Sequence, residues 1–225
     1  MYQIVANEPE FVVVNKDAGV HFHSQDGQAG IAAQLALDLG IELYPVHRLD
    51  TITSGLLIFA KTLGAAQQFG DMFARHQVQK YYLAIAGNKP TKKQGSVMGD
   101  MAKSRRSQYK LLRSRVNPAI TQFFSQSLVA GKRLYLLKPL SGKTHQLRVA
   151  LASLAVPILG DKLYGGDDSD RAYLHAWQLS FSFQGQSWKF AALPSSGEWF
   201  AHEALAATLT QWPQPDSLNW PKKSG

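Results

Sequence analysis

The amino-acid sequence predicts an α+β fold built around a mixed, largely antiparallel sheet. Apolar segments of strand length are interspersed with amphipathic helical segments, without the regular βαβ order that builds a parallel sheet. Apolar residues make up 45% of the 225 residues and charged residues 18%, which is typical of a globular chain. A chain of this length can also bury a sizeable core.

Local composition predicts the order of these elements. Runs rich in β-branched and aromatic residues are typical of strands, and apolar residues every three or four positions are typical of helices. The predicted strands are residues 10–15, 55–61, 78–87, 133–140, 173–183 and 187–194. The predicted helices are residues 29–39, 63–76 and 144–155, the first of which stops at Gly40. The polar, basic segment 88–107 is predicted to be a mobile excursion.

Side-chain periodicity assigns faces within two of these elements. In the strand at 78–87, alternation puts Tyr81 on the apolar face and Lys80 and Tyr82 on the opposite one. In the helix at 144–155, His145 and Arg148 are three positions apart and are predicted to share a face. Tyr82 is therefore predicted to point away from the apolar face.

The absence of certain residues and segments excludes several classes of protein. There is no cysteine, so disulfides, thiolate catalysis and zinc–thiolate sites are excluded, and a reducing compartment is favoured. The first ten residues, MYQIVANEPE, lack the basic and apolar regions of a signal peptide. No apolar run reaches the ~18 residues that span a bilayer. We therefore expect a cytoplasmic protein that does not enter a membrane.

Positive charge is concentrated in one stretch of the chain. The formal net charge is +8, and no acidic residue occurs between Asp100 and Asp161. This stretch holds eleven cations: Lys103, Arg105, Arg106, Lys110, Arg113, Arg115, Lys132, Arg133, Lys138, Lys143 and Arg148. Segregation of one sign over such a length favours a polyanionic partner, although a merely soluble basic surface is the alternative. Interleaved aromatic residues make RNA or single-stranded nucleic acid the preferred partner.

The segment PVHRLDTITSG, residues 45–55, places Asp50 between His47–Arg48 and a glycine-containing turn. In one interpretation Asp50 caps the turn, as aspartates often do. In the other, a nearby cation holds the Asp50 carboxylate ionised and ready to act as nucleophile or base. Arg148 is the long-range candidate for that cation. The segment alone does not decide between these interpretations.

Histidines and acids allow a metal site to be considered. The H-x-H pair His21 and His23 could be completed by His47, Asp50, Asp161 and His175. Short H-x-H pairs are frequent by chance, and no second spaced pair accompanies this one. The motifs GxxxxGK[ST], GxGxxG and GxSxG are also absent. We therefore predict no metal site and no nucleotide cofactor.

A series of ordered motifs carries a family resemblance. The pattern HRLDxxTSG stands as HRLDTITSG at 47–55, and K-x-Y stands as Lys80-Tyr81-Tyr82. The pattern TGRTHQIR corresponds to SGKTHQLR at 141–148, and the closing motifs are Gly160-Asp161…Tyr164-Gly165 and Leu174-His175-Ala176. Over roughly residues 10–194 the chain resembles the RluA-type family of RNA pseudouridine synthases.

The chain departs from the family pattern at a few positions. Lys16-Asp17 stands where the family has Lys-Pro, and Ala150 stands where a histidine is usual. Ser141, Lys143 and Leu147 replace threonine, arginine and isoleucine. None of these changes affects the residues that match the family's catalytic Asp, Tyr and Arg.

The resemblance implies a pseudouridine synthase-like fold, with flanking helices and a central basic cleft, and an enzyme that isomerises uridine in ribosomal or transfer RNA. It assigns Asp50 as the catalytic carboxylate, Tyr82 as the residue that stacks on the target uracil, and Arg148 as the partner of Asp50. The residues expected to bind RNA or the target uridine are His47, Arg48, Lys80, Lys103, Arg105, Arg106, Lys143 and His145. Because the product is an isomer of the substrate, no cofactor is implied. The route is left open: attack at C1′, attack at C6, or proton abstraction.

The resemblance also sets expectations for the rest of the molecule. Residues 1–195 are predicted to form the catalytic domain, without an S4-type RNA-binding domain, and residues 196–225 a loosely packed extension. We expect a monomer whose partner is structured ribosomal or transfer RNA. Two alternatives stay open. One is a catalytically silent RNA-binding module, and the other is a metal-dependent hydrolase using His21, His23, His47 and Asp50.

Overall fold

The chain divides into two compact units in a computed structural model that describes residues 1–25, 27, 29–87 and 90–222. The first unit comprises Met1–Lys80 and His175–Pro194, and the second comprises Tyr81–Leu174 and Ser195–Gly225. Each unit is therefore built from two separate stretches of sequence. Among the described residues, no helix combines the length and the hydropathy that crossing a membrane requires.

Strands outnumber helices in the described residues. The strands are β1 (Tyr2–Asn7), β2 (Phe11–Lys16), β3 (Tyr44–Pro45), β4 (Ser54–Ala60), β5 (Gln79–Ala86), β6 (Gln94–Gly99), β7 (Met101–Lys103), β8 (Tyr109–Leu111), β9 (Ala119–Val129), β10 (Lys132–Pro139), β11 (Leu174–Phe183) and β12 (Gln186–Ala191). The helices are α1 (Ile31–Leu39), α2 (Leu63–Ala74), α3 (Gln146–Ser153), α4 (Glu198–Ala201) and α5 (Ala204–Leu209). Two 3₁₀ turns span Lys162–Tyr164 and Pro215–Ser217.

The first unit is built on the strand order β1-β2-β4-β11, with β12 paired to β11 and β3 paired to β4. The β4–β11 pair is parallel and the other pairs are antiparallel. An aromatic core fills one face, where the Phe11 ring makes edge contacts with Phe69 and Phe181 at centroid distances of 5.7 Å. Helix α2 contributes Phe69 to this core and is N-capped by Thr62, whose hydroxyl accepts the Ala65 N–H.

The second unit is built on the antiparallel strand order β5-β10-β9-β6, together with the hairpin β7–β8. Strand β5 is buried over 81–86, so both of its faces are covered. Tyr82 occupies the face opposite Tyr81, as alternation predicts, and the structure adds that this second face is buried as well.

The predicted α+β class and its mixed, largely antiparallel sheet are confirmed, and each predicted strand and helix has a counterpart. The prediction of a mobile excursion at 88–107 was wrong for the described part, since 90–107 contains β6 and β7; residues 88 and 89 lie outside the described residues. Strand β9 was not predicted, because buried polar residues such as Gln122 and Ser125 interrupt its apolar pattern.

The C-terminal segment packs as part of the second unit. Phe200, Leu205 and Trp212 are buried. Trp220 stacks on Tyr81 at 5.7 Å, and the Tyr81 hydroxyl donates to Asp216 at 2.8 Å. The prediction of loose packing was therefore wrong for 196–222, because these side chains bury their surface in the unit; residues 223–225 lie outside the described residues.

Candidate active site

Asp50 lies half-buried in the loop that leads into β4. The preceding residue, Leu49, is buried and anchors the loop to the core. The backbone carbonyl of Asp50 accepts the Thr53 N–H at 3.0 Å and closes a turn. The loop therefore places the Asp50 carboxyl group on a backbone constrained by the core and by its own turn.

Lys16, at the end of β2, is hydrogen-bonded to the same loop. Its ammonium group is 0% exposed and donates to the carbonyl oxygens of Asp17 (3.0 Å), Val20 (2.9 Å) and Thr51 (3.3 Å). A buried ammonium needs such acceptors because desolvation without them is expensive. Since Thr51 directly follows Asp50, this buried cation restrains the position of Asp50. Sequence analysis noted Lys16 as part of a motif and missed this role.

Strands β4 and β11 bring Ser54 and Gly55 of one motif against His175 and Ala176 of another. Ser54 pairs with His175 and Gly55 with Ala176 in the parallel β4–β11 pair. Gly55 has φ +115°, and a Cβ there would lie 2.3 Å from the Ala176 carbonyl oxygen, so the site admits only glycine. The Ser54 hydroxyl lies 2.8 Å from His175 Nδ1, and His175 Nε2 lies 2.7 Å from the Ala192 carbonyl oxygen. Because a carbonyl can only accept, Nε2 donates to it.

The metal-hydrolase alternative required a cluster of histidines and acids. His175, one candidate ligand, is buried with both ring nitrogens hydrogen-bonded. Over residues 1–25, 27, 29–87 and 90–222, no three His, Cys, Asp or Glu side chains are gathered closely enough to hold a metal ion. The proposed ligand cluster is therefore not assembled in this part of the chain.

His47 and Lys80 come together around the ring of Phe73. His47 packs on Phe73 with centroids 4.8 Å apart, and the Lys80 Nζ lies 5.5 Å from the Phe73 centroid. His47 Nε2 accepts the Ile58 N–H of β4 at 3.0 Å. Burial, and secondarily the charge of Lys80, lower the pKa of His47 to about 3, and burial also lowers the pKa of Lys80. His47 is thus a neutral ring that ties the Asp50 loop to β4, while its neighbour Arg48 is exposed. Contact of His47, Arg48 and Lys80 with RNA stays a prediction.

Tyr82 lies on β5 opposite Leu137 of β10. The side chains of Tyr82 and its neighbour Tyr81 are both buried. The Tyr81 hydroxyl donates a hydrogen bond to Asp216. Because successive side chains of a strand point to opposite faces, Tyr82 faces away from the side that Tyr81 and the C-terminal segment cover. Tyr82 is therefore held on a strand that is hydrogen-bonded to β10.

Arg148, on α3, is 5% exposed and is paired with a buried aspartate that is 2% exposed, Asp161. Its Nε donates to Oδ2 at 2.7 Å and its Nη2 donates to Oδ1 at 2.8 Å. The Arg148 guanidinium also lies over the Tyr164 ring, 4.9 Å from its centroid. Sequence analysis named Asp161 only as a metal-ligand candidate and as part of a motif, because nothing local links two residues thirteen positions apart. Pairing of Arg148 with Asp50 stays a prediction.

His145 precedes α3 rather than belonging to it. It is the N-cap residue, with φ 57° in the left-handed region, so the prediction that it shares a helical face with Arg148 was wrong. Its Nδ1 lies 2.9 Å from the Tyr164 hydroxyl, and the two residues are linked through that ring instead. Nearby, the Lys143 Nζ donates to Asn117 Oδ1 at 3.0 Å.

The hairpin β7–β8 gathers three of the predicted RNA-binding cations. Lys103, Arg105 and Arg106 are exposed at or beside its tip. The Gln108 N–H bonds back to the Arg105 carbonyl at 3.1 Å, and Arg106 and Ser107 adopt positive φ values of 54° and 60°. The structure thus concentrates these charges on one exposed turn, within reach of solvent and of a polyanion.

Comparison with known proteins identifies the family. The model of the RNA pseudouridylate synthase family matches residues 10–153. The chain belongs to this family. The synthase is 43% identical over 201 residues to a Haemophilus influenzae protein described as an uncharacterized RNA pseudouridine synthase, covering 88% of this chain and 90% of the relative. It is 33% identical over 195 residues to the ribosomal large subunit pseudouridine synthase C of Rickettsia bellii, covering 80% and 63%.

A solved structure agrees with this assignment. Human RNA pseudouridylate synthase domain containing 1 superposes with a TM-score of 0.72 at 25% identity, covering 85% of the synthase and 83% of the human chain. The predicted family and the pseudouridine synthase-like fold are confirmed. The synthase is an RNA pseudouridine synthase, an isomerase.

Proposed function

We propose that the synthase isomerises specific uridines of structured ribosomal or transfer RNA to pseudouridine, with Asp50 as the catalytic carboxylate. The reaction breaks the N1–C1′ bond, turns the uracil and joins C5 to C1′; the proton on C5 is lost and N1 gains one. The carboxylate acts at C1′, at C6 or on a proton. The proposal rests above all on family membership through a match that includes the complete HRLDTITSG segment.

The setting of Asp50 supports this role. A carboxylate that must meet a single atom of its substrate needs a fixed backbone, because small misplacements cost rate. The buried Lys16 ammonium donates to the backbone carbonyl of Thr51, the residue after Asp50. The close packing of Gly55 on Ala176 fixes the end of the same loop. His47 adds a third attachment through Ile58.

Tyr82 and Arg148 complete the proposed catalytic set. Tyr82 stacks on the extruded uracil, and Arg148 serves as the cationic partner of Asp50. Extrusion of the base from its stack costs a few kcal/mol, and Arg48 fills part of the space it leaves. No cofactor takes part, since substrate and product are isomers.

The RNA substrate is proposed from the charge distribution and from one relative. The exposed cations of the β7–β8 hairpin suit contacts to phosphates, which position RNA without reading its sequence. The Rickettsia relative is named for the ribosomal large subunit. We propose that the synthase acts as a monomer in the cytoplasm.

The carboxylate assignment is tested with Asp50→Asn, which keeps the shape of the side chain and removes the charge. Release of tritium from RNA labelled at uridine C5 measures turnover. We expect Asp50→Asn to abolish release while RNA binding and the folded state are retained. Asp71→Asn, at an exposed position on α2, is the matched control and should behave as the wild type. Wild-type release by Asp50→Asn would refute the assignment.

The substrate and the silent-module alternative are tested in cells. Pseudouridine maps of total RNA are compared between cells with and without the gene, and after complementation with wild type or Asp50→Asn. We expect defined sites to disappear and to return only with wild type. Restoration of those sites by Asp50→Asn would show that catalysis does not depend on this carboxylate. Turnover that vanishes on chelation and returns with a divalent ion, on RNA refolded beforehand, would overturn the metal-free mechanism.

A further inference from the structure

Tyr164 lies at the centre of a network that surrounds Arg148. It ends the 3₁₀ turn that follows Asp161. Its ring lies against the Arg148 guanidinium, with 4.9 Å between the guanidinium carbon and the ring centroid. Its hydroxyl oxygen accepts the backbone N–H of Tyr109 at 2.9 Å and lies 2.9 Å from His145 Nδ1. One side chain therefore touches Arg148, the residue that caps its helix, and the hairpin strand β8.

Two of the contacts of Arg148 restrain different degrees of freedom. The bidentate pair with Asp161 aligns the edge of the guanidinium with the carboxylate. That pair still allows the guanidinium plane to tilt about the line joining the two groups. The Tyr164 ring, whose centroid is 4.9 Å from the guanidinium carbon, obstructs this tilt on its side, and such a contact is favourable for a desolvated cation. The pair and the ring together hold one orientation.

The ring itself is anchored through its hydroxyl. The side chain of Gln108 donates to the Leu163 carbonyl, and the Tyr109 N–H donates to the Tyr164 hydroxyl, so the start of β8 is fastened to the 3₁₀ turn. On the other side, His145 holds a left-handed backbone conformation that is uncommon for a residue with a Cβ. Such a conformation persists only where surrounding contacts enforce it.

We propose that Tyr164 is a positioning residue that holds the Arg148 guanidinium in a single orientation, with the backbone of the β7–β8 hairpin as its anchor. The inference rests on the proposed function, because it takes Arg148 to act in the chemistry. It separates two properties of the hairpin: the backbone orients Tyr164, whereas the exposed cations at the tip bind RNA. Loss of Tyr164 should therefore affect the rate of the bound complex and leave RNA affinity intact.

The kinetic test uses single-turnover tritium release at saturating RNA, with RNA affinity measured separately. Tyr164→Leu removes the ring and the hydroxyl and should lower the rate about 100-fold, the loss expected for a displacement near 1 Å. Tyr164→Phe keeps the ring and should lose roughly tenfold or less on the same scale. Asp168→Asn, exposed and close to the same turn, is the control and should keep the wild-type rate. Equal loss of rate and affinity in Tyr164→Leu would indicate a structural role and overturn the proposal.

The orientation is tested in the free enzyme by NMR of ¹⁵N-labelled arginine, with the Arg148 signal assigned through Arg148→Lys. We expect separate, slowly exchanging guanidinium resonances in wild type and Tyr164→Phe, and averaged ones in Tyr164→Leu. An unchanged Arg148 spectrum in Tyr164→Leu would overturn the proposal. Averaged resonances with a wild-type rate would instead refute the role of Arg148 in the proposed function, since positioning would be shown without a catalytic consequence. If Tyr164→Leu fails to fold, the rate of Tyr164→Phe decides: a loss of rate at unchanged RNA affinity would support the anchor through the hydroxyl, and a wild-type rate would overturn it.

Discussion

Two cationic regions of the second unit come from the same acid-free stretch and have opposite environments. Arg148 is buried against Asp161 and Tyr164, whereas Lys103, Arg105 and Arg106 are exposed at the hairpin. A buried guanidinium keeps its charge and therefore needs hydrogen-bond acceptors around it, so burial against the Asp161 carboxylate fixes the orientation of Arg148. Exposed cations have no fixed orientation, but they attract a polyanion through water in a salt-dependent way. Burial, rather than charge, therefore decides what a basic residue does here.

The largest effect on this comparison is expected at the buried pair of Arg148 and Asp161. Asp161→Asn removes the buried carboxylate that pairs with the Arg148 guanidinium, and breaking a buried pair in this way costs about 3–5 kcal/mol of unfolding free energy. Arg148→Ala should abolish turnover with a smaller loss of RNA binding, because its proposed partner is Asp50 rather than a phosphate. Urea denaturation measures the first effect and tritium release the second. Wild-type stability of Asp161→Asn would show that the pair contributes nothing to the fold.

The exposed cations should show a smaller effect of another kind. Replacing Lys103, Arg105 and Arg106 with Ala should make the slope of log affinity against log salt shallower by about 2, at about 0.7 for each contact on single-stranded RNA. Affinity should fall for every RNA tested, and turnover at saturating RNA should survive. Stability should change by less than about 0.5 kcal/mol, as is usual at exposed positions.

The control for the hairpin variant is Lys61→Ala/Arg75→Ala/Lys189→Ala, which removes the same charge from the first unit. It should leave the salt slope near its wild-type value. An equal change of slope in both triple variants would mean that net charge, and not the hairpin, governs binding.

His47 gives the comparison a third case, a titratable side chain kept neutral by burial. Its pKa is about 3 in the folded protein and near 6.5 in the unfolded chain, so acid protonates the unfolded state first. The stability it contributes is present above pH 6.5 and is lost as the pH falls towards 3. At pH 5.5 the loss is about 1.4 kcal/mol relative to pH 8.

His47→Gln keeps an acceptor for the Ile58 N–H and cannot titrate. Urea denaturation between pH 8 and pH 5.5 should therefore show a weaker pH dependence for this variant than for wild type. Parallel curves would mean that His47 is protonated with equal ease in both states, and its neutrality would have to be abandoned.

Periodicity predicted elements better than it predicted their environments. The alternation in β5 and the apolar spacing in α3 identified both elements, since each depends on neighbours a few residues apart. The same patterns did not show that the Tyr82 face of β5 is buried, and they misplaced His145. Tyr82 is covered because the strand is buried on both faces, and His145 lies outside the helix in a left-handed conformation. The aromatic residues of the C-terminal segment were taken as loosely attached, because nothing local shows that Trp220 meets Tyr81.

The sequence by itself determined the family, the reaction class and the order of the main elements, because short motifs and local spacing carry that information. Only the tertiary structure showed that Lys16 is buried beneath Thr51, that Asp161 holds Arg148, and that Tyr164 joins Arg148 to the hairpin. Each of these contacts joins residues far apart in sequence or on different elements. Such a contact is stronger where water is excluded, and the exclusion of water depends on which segments fold over a side chain rather than on the residues beside it in the chain.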